Sequence, residues 1–355
     1  MRMVDMPPAM GLWWSLRRAD GWRRERGKLF DRLGLGPVLT TSRVALKLPE
    51  LRLHAYDGQD PKNVLLIVAA PIKRAYIWDL CPSASVVRRA QQHGLAVYLI
   101  EWIEHDECGL DLADYADRLL TACLDAIKRE TGQRRVMIAG HSLGGTLAAI
   151  FATLHPERVR GLVLLEAPTK FGKDAGAFAL PVALTPARAI TDMLPVVPGS
   201  FLDLVSTAVA PGSFLLAPWL DALSVAGDPQ ASILHLRVER WTLDELPMPG
   251  RLFEEVVDRL YYEDRFLSGR LIISGRKASP AALHMPLMVV YRPESLIIPP
   301  ASVLPLLDAV PSRRKQHLVY VGDRGVLLQH VGVLVGETAH AQLWPSILRW
   351  MDECR

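Results

Sequence analysis

Cysteine is scarce and scattered in this chain. Cys81, Cys108, Cys123 and Cys354 form no C-x-x-C pair and no framework spacing, which excludes a disulfide scaffold or structural zinc and reads as reduced, cytosolic thiols. Long apolar runs are missing too. The most apolar region is broken by Pro181, Pro186, Pro195, Pro198, Pro211 and Pro218, so no transmembrane segment of about 18 residues is expected. Residues 1–9 lack the apolar core of a signal peptide. Charge of one sign is nearly balanced: a net charge of +3 is too mild to argue for a nucleic-acid partner. Internal repeats and low-complexity tracts are absent as well. What remains, 50% hydrophobic and 22% charged residues over 355 positions, is a globular, cytoplasmic composition with length for a large core.

Along the chain, residues 10–35 interleave Leu12, Trp13, Leu16, Leu29, Phe30 and Leu33 with Arg17, Arg18, Arg23, Arg24, Arg26 and Lys28, predicting one or two amphipathic helices. Such a segment can contact a lipid or granule surface peripherally. The preferred reading is a helix packed on the body with its arginines solvated. From Arg43 the period becomes two, with Val44, Leu46 and Leu48, then Leu51, Leu53 and Ala55, before a Tyr56-Asp57-Gly58 turn. Residues 63–69 and 96–102 read as strands buried on both faces. Helices are expected over 88–93 and 111–131, the latter stopped by Gly132. Strands 136–140 and 160–165, with a helix to Leu154 between them, complete a strand–helix alternation that implies a doubly wound, mostly parallel α/β sheet. After Pro168 the pattern breaks into a Pro-, Leu- and Ala-rich region, best explained as an inserted helical cap. Strands then resume at 286–291 and 317–321, and an amphipathic helix closes the chain over 338–353. The expected organisation is an N-terminal segment (1–43), a first core part (44–170), a cap (171–264) and a second core part (265–355).

The segment Val136 to Leu147 holds Gly140-His141-Ser142-Leu143-Gly144, the G-x-S-x-G pattern of a nucleophile elbow between strand and helix. A serine hydroxyl needs a base to take its proton as it attacks. In such sheets the order along the chain is serine, acid, histidine, so the base is expected after the last strand, at His330. His340 and His284 fit that place less well, and His141 reads as a packing or pocket residue. The acid is expected in the turn after strand 286–291, where Glu294 is the first choice. Glu166, at the end of strand 160–165, is the second. The third is that no side-chain acid contributes and Ser295 or water fills the space. Leu143 should supply one oxyanion N–H. The other must come from Ala70 or Ile72, since Pro71 has none, and Ile72 is preferred. No metal, redox group or other cofactor is implied.

With these residues in view, the chain resembles the polyhydroxyalkanoate synthase family, a branch of the α/β-hydrolases. The resemblance rests on residues 51–56 (LRLHAY), 72–80 (IKRAYIWDL), 140–147 (GHSLGGTL), Trp241, 298–302 (IPPAS) and 330–335 (HVGVLV). It implies an α/β-hydrolase fold with a lid, a small-molecule acyl substrate such as an acyl-CoA or other hydroxyacyl thioester, and a pocket that includes His141, Lys73 and Trp241. It also allows a homodimer through the cap. Three positions depart from the family. Its nucleophilic cysteine is Ser142, its aspartate aligns with Ser295, and its asparagine and bulky aromatic near the oxyanion side are Lys73 and Ala75. A thiolate suits repeated exchange with acyl thioesters better than an alkoxide does. The expectation is therefore a serine-dependent enzyme that hydrolyses a (hydroxy)acyl ester or thioester or passes the acyl group to an alcohol. The alternatives are a polymerising synthase and a catalytically inactive, granule-associated or binding protein.

Overall fold

The computed structural model describes residues 8–56, 60–104, 109–324 and 329–354. The expected Asp57-Gly58 turn, Cys108 and the loop residues 325–328 lie outside the described residues. An eight-stranded sheet runs through the molecule. Its strands are β1 (Arg43–Lys47), β2 (Leu51–Tyr56), β3 (Asp60–Val68), β4 (Leu95–Trp102), β5 (Val136–His141), β6 (Val159–Leu165), β7 (Leu287–Tyr291) and β8 (Lys315–Val319). Their spatial order is β1-β2-β4-β3-β5-β6-β7-β8. β2 pairs antiparallel with β1 and β4, and every other neighbouring pair is parallel. This is the doubly wound α/β sheet expected from the alternation.

Burial explains why the inner strands carry unbroken apolar runs. Leu65, Leu66, Ile67 and Val68 of β3 and Leu162 to Leu165 of β6 are fully buried, because helices cover both sheet faces. Each such side chain contributes roughly 2 kcal/mol of burial free energy. β8 is the opposite case. It is an edge strand, mostly exposed, and it starts two residues before the expected position because its apolar signal is weak there. Lys315 at its start suits an unpaired edge.

The covering helices are α2 (Val86–Gln92), α3 (Leu119–Thr131) and α4 (Leu143–Leu154). α3 ends at Gly132, whose φ of 72° gives the left-handed cap that glycine tolerates. All of α4 is buried. Residues 172–262 add no strand to the large sheet among the described residues. They fold into short helices, the longest being α5 (Gly199–Val209), α6 (Ala217–Val225) and α7 (Pro229–Thr242), and a small ribbon pairing Val196–Val197 with Met248–Pro249. The second core part ends in α8 (Gln329–Val335) and α9 (Trp344–Glu353). Among the described residues no single helix is long and apolar enough to cross a membrane.

Residues 10–35 form one helix, Pro8–Arg32 (called αN), rather than two. Its inner face is not merely packed: Arg23 is half-buried and hydrogen-bonds Asp203, Glu245 and the Thr242 carbonyl in the cap region. The expectation of uniformly solvated arginines fails at this residue, because four acceptor atoms converge on its guanidinium.

The stretch 72–80 is also fixed by burial. Asp79, fully buried, accepts from the backbone N–H and hydroxyl of Thr40 at 2.6 and 2.8 Å and from the Ser85 hydroxyl at 2.5 Å. Trp78 packs edge-on against Trp344, whose indole N–H donates to the Val333 carbonyl at 2.8 Å. Two of the stretches that carry the resemblance, 72–80 and 330–335, are thus joined through the core.

Candidate active site

Ser142 sits between β5 and α4 with φ 53° and ψ −134°, a conformation that costs an L-residue roughly 1–3 kcal/mol. Two glycines make the turn feasible. A Cβ on Gly140 would lie 2.6 Å from the Gly145 Cα, and one on Gly144 would lie 2.6 Å from the Ala69 carbonyl carbon. The second approach brings the start of α4 against the turn that follows β3. The Trp102 indole secures that turn by donating to the Ala69 carbonyl at 2.7 Å. The backbone N–H groups of Leu143 and Ile72 take no acceptor among the described residues.

His330 lies in the first turn of α8, and its ring packs against that of His141, with centroids 4.4 Å apart. His141, the neighbour of Ser142, donates from Nε2 to the His330 carbonyl at 2.9 Å. That bond holds the start of α8 against the elbow. His141 is buried, and burial pushes its ring well below the usual histidine range, which keeps it neutral. It is a packing residue here and presents little surface to a pocket.

The acid beside His330 is Glu166. Its Oε2 is 2.6 Å from His330 Nδ1, and its side chain is 0% exposed against 13% for His330. Glu166 follows β6 with φ 42°, a second non-glycine left-handed residue on the strand next to the elbow. Its N–H donates to the Val290 carbonyl at 2.8 Å, which fixes the turn that aims the carboxyl at the histidine. Burial pushes the carboxyl up to about 8, opposed by the charge and backbone of Arg292. Burial also pushes His330 down to about 4.

The first choice of acid is corrected by this geometry. Glu294 has a 68% exposed side chain and faces Arg292 at 3.6 Å on the surface. Its turn follows β7, and its carboxylate is turned to solvent and Arg292. Ser295 accepts from the Ile298 N–H at 3.2 Å and so braces its own loop.

Lys73 and Trp241, expected in the pocket, both bond across the boundary between cap and core. Lys73 Nζ donates to the Thr242 carbonyl at 2.8 Å, pairs with Glu245, and lies 5.1 Å from the Trp241 ring centroid. Trp241 is buried and donates to the Arg74 carbonyl at 2.8 Å. Both side chains stitch the cap to the core. Their partners are about 170 positions away in sequence, and no local pattern announces them. A cavity of about 570 Å³ between cap and core is lined by Ser224, Asp228, Arg292 and Arg324. Its wall includes Arg292, the residue whose charge acts on Glu166. Among the described residues no group of three or more His, Cys, Asp or Glu is placed to hold a metal ion.

A family model described as alpha/beta hydrolase fold matches residues 91–323. The chain is 29% identical over 88% of its length to the poly(3-hydroxyalkanoate) polymerase subunit PhaC of Haloferax mediterranei, covering 64% of that protein. It thus spans just under two thirds of that relative. It is 28% identical over 81% of its length to the PhaC subunit of a Synechocystis species, covering 77% of it. Among solved structures, the monoacylglycerol lipase of Paleococcus ferrophilus superposes with a TM-score of 0.57 at 16% identity, covering 86% of this chain and 100% of the lipase. That likeness bears on the fold alone. The matched region covers well over half of the chain and takes in five of the eight strands, β4 to β8, and the chain belongs to the alpha/beta hydrolase family as a member similar to the PhaC polymerases.

Proposed function

We propose that this protein is a serine-dependent acyl-transfer enzyme that works through an acyl-Ser142 ester. The observation that carries the reading is the buried Glu166–His330 pair seated against the Ser142 elbow. In the productive state Glu166 is ionised and accepts from Nδ1–H of His330, leaving Nε2 free to take a proton. Ser142 Oγ attacks the acyl carbonyl as its proton passes to Nε2. The tetrahedral oxyanion is held by the N–H groups of Leu143 and Ile72. Collapse breaks the bond to the thiolate or alkoxide, which leaves with the proton from Nε2. Water or an alcohol then attacks the acyl-serine, giving its proton to Nε2, and Ser142 is released with that proton. The chemistry needs no metal or redox cofactor.

The substrate class is a (hydroxy)acyl ester or thioester, including an acyl-CoA. Its support is the similarity to proteins named poly(3-hydroxyalkanoate) polymerase subunits. The same similarity favours a second reading, in which a 3-hydroxyacyl-CoA is polymerised from Ser142. An oxygen ester is less activated than the thioester that a cysteine would form, so a single transfer or hydrolysis is preferred. The test is thiol release from a 3-hydroxybutyryl thioester with the product weighed by mass spectrometry. Free acid or one acylated alcohol supports the first reading. A growing insoluble polyester supports the second, and equal turnover by Ser142→Ala refutes both.

A further inference from the structure

The segment from Ile72 to Tyr76 leads away from β3, and the cap holds it at both ends. At the near end, the Leu246 N–H donates to the Ile72 carbonyl at 3.0 Å, and Lys73 forms an antiparallel bridge with Glu245. The Glu245 side chain, 5% exposed, pairs with Lys73 and accepts a two-pronged bond from Arg23 of αN, at 2.9 Å from Nε and 2.8 Å from Nη2. Arg23 also reaches the Thr242 carbonyl at 2.7 Å, the same oxygen that Lys73 uses, and Asp203 at 2.7 Å. At the far end, the Tyr76 hydroxyl donates to Asp244 at 2.8 Å, and Asp244 accepts from Arg240 at 2.6 Å. Arg240 in turn makes a two-pronged pair with Asp31 of αN at 2.8 and 2.9 Å.

Two residues on one face of αN, eight positions apart, therefore reach both ends of one core segment, each through a cap carboxylate. We infer that Arg23 and Asp31 are positioning residues that set the oxyanion side of the site, acting through Glu245–Lys73 and Arg240–Asp244–Tyr76 on the Ile72 N–H. The inference rests on the proposed acyl-serine reading for the role of that N–H. The physical case is geometric. The Ile72 carbonyl and the Lys73 N–H share one planar peptide, and only the φ and ψ torsions of Ile72 separate it from the Ile72 N–H. The Leu246 bond to that carbonyl, the Lys73 N–H donating to the Ala70 carbonyl at 3.4 Å and the Trp102 bond to Ala69 hold the chain on both sides of those torsions and so restrict where the N–H points. The Arg23 pair is largely desolvated, and its two-pronged form adds direction to attraction. Misplacing one oxyanion donor is a transition-state loss and leaves ground-state binding little changed.

The test uses the full chain and compares Arg23→Gln, Arg23→Lys, Asp31→Asn and, as a control on the exposed side of αN, Arg18→Gln. Active sites are first counted with a fluorophosphonate, so that turnover refers to folded enzyme. Arg23→Gln should lower kcat about tenfold or more and weaken binding of an alkylboronic acid, a mimic of the tetrahedral state, by a similar factor, with KM within about twofold. Arg23→Lys, which keeps the charge but loses the fork, should recover part of both, and Arg18→Gln should change neither. Amide hydrogen exchange over residues 72–76 should speed up in Arg23→Gln and Asp31→Asn while that of 64–68 stays unchanged. Unchanged kcat and boronate affinity in Arg23→Gln, or unchanged exchange over 72–76, would overturn the inference. If the wild-type protein itself takes no fluorophosphonate, the acyl-serine reading fails and the oxyanion role with it. The exchange measurement then still decides whether αN holds the segment.

Discussion

Nδ1 of His330 and Oε2 of Glu166 are 2.6 Å apart, in a place where the carboxylate has no exposed surface. The two residues stand 164 positions apart in the chain. A buried carboxylate at that distance fixes the ring's orientation and, in the proposed acyl-serine mechanism, stabilises the imidazolium formed as the serine gives up its proton.

This assignment separates two glutamates that the sequence leaves in competition. Glu166→Ala should reduce kcat by roughly 10²–10⁴ with KM nearly unchanged, because the histidine loses its orienting partner. Glu294→Ala should leave kcat/KM within about twofold, as expected of an exposed turn residue. Steady-state kinetics on both variants decides the matter, and the reverse ranking would return the role to Glu294.

The pair also predicts a pH dependence. With Glu166 near 8 and His330 near 4, the carboxyl is protonated at neutral pH and donates to Nδ1, which leaves Nε2 carrying the ring proton. That form cannot accept from Ser142. Activity should therefore rise as pH passes upward through about 8. A kcat/KM profile already level between pH 6 and 9 would contradict this.

Stability should move the other way over the same range. The folded state holds a proton on Glu166 above the ordinary value of 4.5, so it binds more protons than the unfolded chain up to about 8. That contribution is present at low pH and lost as pH rises. Below the ordinary histidine value of 6.5, the lowered His330 opposes it, since there the unfolded chain takes up the proton. The net fall therefore lies between about pH 6.5 and 8. Denaturant melts of wild type and Glu166→Gln at these two pH values should show the decline only in wild type.

Strain at the elbow gives a further outcome. Ser142→Gly should abolish activity while raising the unfolding midpoint, because glycine adopts a φ of 53° without penalty. Gly144→Ala should do the reverse to stability and lose about 1–3 kcal/mol or more, since its Cβ meets the backbone after β3. Thermal melts of the two variants read both signs.

Much of this arrangement is legible in the sequence, for identifiable reasons. The elbow announces itself because the two close approaches at Gly140 and Gly144 demand glycine within five residues. His330 is found by its place after the last strand. The acid is harder: Glu166 and Glu294 both lie between serine and histidine, each at a strand end. What separates them is a left-handed turn at residue 166 and the lateral order of β5, β6 and β7, neither of which leaves a local mark. The resemblance places Lys73 and Trp241 near the site, but Lys73 pairs with Thr242 and Glu245 of the cap and Trp241 with the Arg74 carbonyl of the core, so pairing at long range decides their contacts. The alternation of arginines and leucines in αN reads as amphipathic, and Arg18, Arg24 and Arg26 are indeed exposed. Nothing in that alternation distinguishes Arg23, whose acceptors come from two separate cap segments.

The central claim is that the acyl group passes through Ser142. The most direct measurement is the mass of the protein, and of its Ser142 peptide, after acid quench of a reaction with a 3-hydroxybutyryl thioester. The account predicts one acyl mass added to the peptide holding Ser142 in wild type and none in Ser142→Ala. An adduct elsewhere, or full turnover with no adduct and an active Ser142→Ala, would contradict it.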